Sequence, residues 1–163
     1  MVKTVLISES ARGEAVSSEM DCGGSGKMIR RDHPQHFFTQ DEAERLARTI
    51  RDVEARATGQ VQIFLEWNCP LTDPMSRSIK LFHRLKLHTL PNQNGILIYI
   101  ATQHRLFAVI ADRGISEKIK NPFWTGLHAL MEHRFKQGQF LEGTLLAIEE
   151  LGRRLLEVFP AKR

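Results

Sequence analysis

From residue 37 onward the apolar positions follow two alternating periods. Ala43, Leu46, Ala47, Ile50, Val53 and Ala57 recur at helical spacing. Thr39 stands at the N-cap position with Glu42 three residues on, a capping box, and Gly59 supplies the stop. Val61, Ile63 and Leu65 then alternate with Gln62, Phe64 and Glu66, which predicts a strand over 60–67. Asp73-Pro74 opens a second helix whose apolar face is Met75, Ile79, Phe82 and Leu85. Residues 95–101 are almost continuously apolar, as expected of a central strand covered on both faces. Thr102-Gln103-His104-Arg105 reads as a turn, and 106–111 returns as another strand. Pro122 starts a third helix with Phe123, Leu127, Leu130, Met131 and Phe135 inward and Gly138 as its stop. A fourth spans 140–159 with Leu141, Leu145, Ile148, Leu151 and Leu155 inward, and Pro160 follows it.

The order is helix, strand, helix, strand, strand, helix, helix. A strand–helix–strand unit implies a parallel pair with a right-handed crossover, and the hairpin adds an antiparallel strand. Helices must cover both faces of the central strand. The predicted fold is therefore α/β, a three-layer α/β/α sandwich around a small mixed sheet. Ile98 and Ile110 are expected in its core. Residues 1–36 differ: serines, the Cys22-Gly23-Gly24-Ser25-Gly26 cluster and mixed charges show no period. They predict a mostly disordered tail with a short strand near Thr4–Ile7, leaving 37–163 as one α/β domain.

Composition narrows the class. The chain has 163 residues, is 42% hydrophobic and 26% charged, so it can bury a core as a single domain. The formal net charge of +4 only weakly favours an anionic partner. Two cysteines, Cys22 and Cys69, do not make a disulfide scaffold, so the cytoplasm is the expected compartment. No apolar run approaches the roughly 18–20 residues of a transmembrane segment.

Candidate chemistry gathers at the ends of the hairpin. If the turn lies at 102–105, residue 95 faces residue 112. The Asn94-Gly95 and Asp112-Arg113-Gly114 loops then meet at one end of the sheet. Glycine permits close approach of backbone to a ligand, Arg113 could hold an anion bidentately, and Asp112 could hold a hard cation. The same residues also suit a plain strand entry and exit.

Asn94-Gly95-Ile96-Leu97-Ile98-Tyr99-Ile100-Ala101 and Val109-Ile110-Ala111-Asp112-Arg113-Gly114-Ile115 carry a resemblance. So do the Leu81-Phe82 helix end, Phe135-Lys136-Gln137-Gly138 and Gly143. With these motifs residues 37–160 resemble the TPM domain family, named for thylakoid-lumen, photosystem-repair and nematode receptor-modulator members. The similarity is greatest to a short bacterial branch with Ala-Asp-Arg-Gly-Ile and a final Phe-Pro, here Phe159-Pro160. The resemblance implies the fold derived above. It also implies acid phosphatase activity in some members, and Ca²⁺ binding near these loops. The common family pattern is Asp-Asn-Gly and Gly-x-Gly-Leu-Glu. This chain has Gln93 in place of the acid and Ser116 in place of the Glu, with Glu117 one position late and Asp112 in place of a glycine. The implied metal candidates are therefore Asp112 and Glu117, for weakly held Ca²⁺ or Mg²⁺.

Other signals carry less. Cys22 to Met28 lacks the first glycine and the Ser/Thr of a phosphate-binding loop. Arg77, Lys80, His83, Arg84, Lys86 and His88 read as a solvated basic helix face without an aromatic platform for nucleic acid. His128 and Glu132 stand at i and i+4 without a His-Glu-x-x-His pattern. Two function classes follow. One is a non-catalytic binding or interaction module with a protein partner, in a membrane-linked or stress-linked pathway as the resemblance implies. The other is a weak divalent-metal-assisted phosphatase using Asp112, Asn94, Glu117 and Arg113. The carboxylate count at that end of the sheet separates them.

Overall fold

The structure, a computed structural model, describes residues 6–7, 34–69 and 73–162. The elements run β1 (Leu6–Ile7), α1 (Pro34–Phe37), α2 (Gln40–Arg56), β2 (Gln60–Glu66), α3 (Pro74–Arg84), a 3-10 turn (Leu87–Thr89), β3 (Gly95–Ala101), β4 (Leu106–Ala111), α4 (Arg113–Ser116), α5 (Asn121–Lys136) and α6 (Phe140–Val158). The sheet has the order β1-β2-β3-β4. β1 and β3 pair parallel to β2, and β4 pairs antiparallel to β3 with Ile98 opposite Val109. The α/β/α sandwich with a mixed sheet is as the pattern predicts.

Local chemistry explains the elements. Thr39 Oγ1 accepts from Glu42 N at 3.2 Å while Glu42 Oε2 accepts from Thr39 N at 2.9 Å, so the capping box satisfies both donors. Asp73 caps α3 by accepting from Met75 N and Ser76 N, with Pro74 at the first turn. Gly138 takes φ +73° after α5, a left-handed stop open to glycine without strain.

Odd and even positions divide the core. Ile63, Ile96, Ile98 and Ile100 face a large cluster with Leu46 and Ile50 of α2, Met131 of α5, and Ile148, Leu151 and Leu155 of α6. Phe64, Leu97 and Tyr99 face the opposite way against Leu81, Phe82 and Leu87. Every residue of β3 is buried, as its unbroken apolar run requires.

Four expectations need correction or limit. Ile110 is only half-buried, because β4 is an edge strand with no neighbour beyond it among the described residues. Residues 112–114 do not form a plain strand exit: Asp112 accepts from Arg113 N and starts α4. Regular structure reaches back past the border at 36/37. Pro34 begins a helical turn, and the Phe37 ring meets the buried Phe38 edge-on at 4.9 Å and packs tilted against Phe140 at 4.7 Å, centroid to centroid. Leu6–Ile7 forms the edge strand beside β2; the rest of the expected tail, with Cys22 to Met28, lies outside the described residues.

Candidate functional site

The two loops meet. Asp112 N donates to Gly95 O at 2.8 Å, continuing the β3–β4 ladder by one pair. Gly114 packs directly under the 92–93 backbone: a Cβ there would overlap Asn92 O and lie 2.7 Å from Gln93 O. Only glycine permits that approach. Gln93 itself sits at φ +48°, held there as its N–H donates to Leu90 O at 3.0 Å. Asn94, 2% exposed, donates from Nδ2 to Thr58 Oγ1 at 3.1 Å, and its carbonyl accepts from Gln60 N at 3.1 Å. It stitches the start of β3 to the start of β2. The chain end closes the same side: Thr58 N donates to Phe159 O and Ala161 N to Arg56 O, both at 2.9 Å. A groove of roughly 1210 Å³ opens there, with Arg51, Glu54, Lys118 and Lys162 on its walls.

The side chains of this end largely serve one another. Asp112 Oδ1 accepts from Arg113 N at 2.7 Å. Arg113 Nε donates to Glu117 Oε1 at 2.7 Å in an exposed i,i+4 pair. Glu117 is thus turned to the guanidinium, one turn along α4. One polar atom stands out: Asp112 Oδ2 is buried with no hydrogen-bond partner. Among the described residues, no group of three or more His, Cys, Asp or Glu side chains is placed to hold a metal.

The sequence of residues 32–154 matches the TPM domain family model. The chain belongs to the TPM domain family. Its TPM domain is similar to the BA42 protein from the psychrophilic bacterium Bizionia argentinensis, at 33% identity and a TM-score of 0.73, over 78% of this chain and 87% of that one. More distant likenesses show the fold alone. The N-terminal domain of a P. gingivalis protein has 14% identity and a TM-score of 0.64, over 77% and 83% of the two chains. The N-terminal domain of Corynebacterium glutamicum cg2496 has 11% identity and a TM-score of 0.59, over 72% and 74%. No curated protein matches the chain. Among the described residues no helix of the TPM domain is long and apolar enough to cross a membrane.

The opposite end of the TPM domain holds a cluster that sequence reasoning missed. Ligands of open α/β sheets usually lie outside the carboxyl ends of parallel strands. Here that place is plugged. Glu66, the last residue of β2, is 2% exposed. Arg77 Nε donates to Glu66 Oε2 at 3.0 Å and Nη2 to Oε1 at 2.5 Å, a bidentate pair. Tyr99 Oη donates to Glu66 Oε2 at 2.8 Å and also bonds the Cys69 side chain. Trp67 Nε1 donates to Gln103 Oε1 across the strand ends. Arg77 is therefore not part of a solvated basic face. It occupies the first turns of α3, where the helix dipole disfavours a cation, and the Glu66 carboxylate holds it there. The signal available beforehand was Glu66 itself, sharing a strand face with Phe64 that α3 must cover.

Burial, and then the hydrogen bond to Glu66, push the Tyr99 pKa well above the usual tyrosine value. A raised folded-state pKa contributes stability that is complete below the unfolded pKa of about 10 and is lost as pH rises beyond it. Tyr99 is the only tyrosine of the chain, so tyrosinate absorbance reports on it alone. In an alkaline titration that absorbance is expected to stay flat through pH of about 10 and rise only together with loss of far-UV circular dichroism. A free titration near the ordinary tyrosine value, with the fold intact, would show that Tyr99 is not locked onto Glu66.

Proposed function

We propose that this TPM domain is a non-catalytic binding module whose partner is another protein. One observation carries the reading: at the end of the sheet where the loops converge, the candidate side chains are engaged in holding the fold. Asp112 caps α4, Arg113 is paired with Glu117, and Asn94 bridges β2 and β3. No nucleophile, base and charge-stabilising donor converge on a common point among them.

The buried and unpartnered Asp112 Oδ2 favours a second reading, a divalent ion at this end that assists phosphate ester hydrolysis. The donors fit such an ion poorly. One free carboxylate oxygen falls short of the about 6–8 oxygens that Ca²⁺ takes. Calorimetric titration with Ca²⁺ and Mg²⁺, paired with hydrolysis of p-nitrophenyl phosphate, tests both readings. Weak ion binding, no tighter than about 10⁻⁴ M and absent in Asp112→Asn, is expected, with no turnover. Turnover by the intact chain that disappears in Asp112→Asn would reverse the preference.

A further inference from the structure

We propose that the free edge of β4 is a docking slot for one extended segment of a partner protein, which adds a fifth strand to the sheet. This rests on the binding-module reading and names where and how that module binds.

The backbone supplies the first argument. Among the described residues β4 ends the sheet and pairs only with β3. Asp112 bonds to Gly95, so by the two-residue alternation of an antiparallel ladder Leu106, Ala108 and Ile110 also turn their N–H and C=O groups to β3. Phe107, Val109 and Ala111 must turn theirs outward. Edge strands are normally blunted by lysine, proline or a bulge. The β4 sequence Leu-Phe-Ala-Val-Ile-Ala contains neither charge nor proline, and its register to β3 is unbroken.

The space beside that edge supplies the second. Two cavities, of about 460 and 440 Å³, share Pro74, Phe107 and His128 and together follow the strand from Arg105 to Ala111. The start of α3 forms one wall through Pro74 and Met75. Trp124, Leu127 and Phe135 of α5 form the other. Met75 of α3 and Leu106 of β4, which line the two cavities, remain 44% and 37% exposed. A strand added at about 4.8 Å needs outward-facing backbone partners and room for alternate side chains; the edge supplies the first and the two cavities the second.

Its shape and charge select the occupant. The slot runs between the start of α3 and α5, so a single extended chain is the fitting guest. Apolar side chains on one face of that chain would meet Trp124, Leu127 and Phe135. Arg105 and the Lys136–Glu132 ion pair line the Leu106 end, two cationic side chains to one carboxylate, which suits an acidic residue at that end of the segment.

The experiment uses the full chain and a synthetic peptide of alternating valine and threonine with one terminal glutamate. A second version of the peptide is N-methylated at alternate residues, so that it cannot donate to the edge. Amide hydrogen exchange is read by NMR. At a peptide concentration about ten times its Kd, the Phe107, Val109 and Ala111 amides are expected to exchange about tenfold more slowly, with no such change for the methylated peptide. Val109→Pro removes only an outward N–H, which an edge strand tolerates, and is expected to abolish binding with the β3–β4 ladder amides still protected. Unchanged exchange at those amides, or equal binding of both peptides, would overturn the proposal. So would protection that grows with protein concentration alone, which would give the slot to a second copy. Phosphatase turnover decides the module reading separately: no peptide binding without turnover sinks only the slot, and turnover sinks the module reading whatever the slot does.

Discussion

Arg77→Met is expected to destabilise the protein by about 3–5 kcal/mol. The substitution leaves the α3 stem in place and removes only the guanidinium. Glu66, 2% exposed, would then keep the Tyr99 hydroxyl as hydrogen-bond donor but lose both charged donors. An uncompensated buried carboxylate is among the largest single-residue penalties available to a domain of this size. The reverse change, Glu66→Gln, is expected to be milder. Arg77 is 16% exposed and can turn its charge toward water, while glutamine still accepts from Tyr99. Urea unfolding of both variants checks the asymmetry. For a chain of this length the Arg77→Met loss corresponds to a melting shift on the order of 10 °C. Equal, small effects for the two variants would mean that the pair is solvated and that the carboxyl end of the sheet is open after all.

Ile98→Ala is expected to lower stability by about 2–5 kcal/mol. Ile98 is fully buried in the middle of β3, between Ile63 and Val109, in the cluster that α2, α5 and α6 close. A strand flanked on both sides cannot collapse readily to fill the missing atoms, which places the site toward the upper part of that range. Ile110→Ala is expected to fall well below it, because the half-buried Ile110 on edge strand β4 already faces partial solvent. Denaturant midpoints with unchanged slopes would establish the order; an Ile110 loss equal to that of Ile98 would mean that β4 is covered in solution.

The TPM signature over residues 32–154 and the likeness to BA42 agree with what the apolar pattern already specifies. Periodicity of 3.6 and of 2 states which face of each element is apolar, and caps such as Thr39, Asp73 and Gly138 state where elements begin and end. The hairpin turn at 102–105 then sets the register, and the register alone brings Asn94-Gly95 beside Asp112-Arg113-Gly114. These are short-range facts, and a linear chain carries them. Three others are not short-range. The function of Asp112 as a helix cap, with Glu117 turned to Arg113, depends on whether the backbone folds into α4 after β4. The Glu66–Arg77–Tyr99 cluster joins three elements, and a charge on a strand face looks solvated until the helix that covers it is placed. The free edge of β4 exists only because the sheet order is β1-β2-β3-β4. A sequence states which residues are apolar, but only the tertiary arrangement of strands decides whose backbone groups remain without a partner.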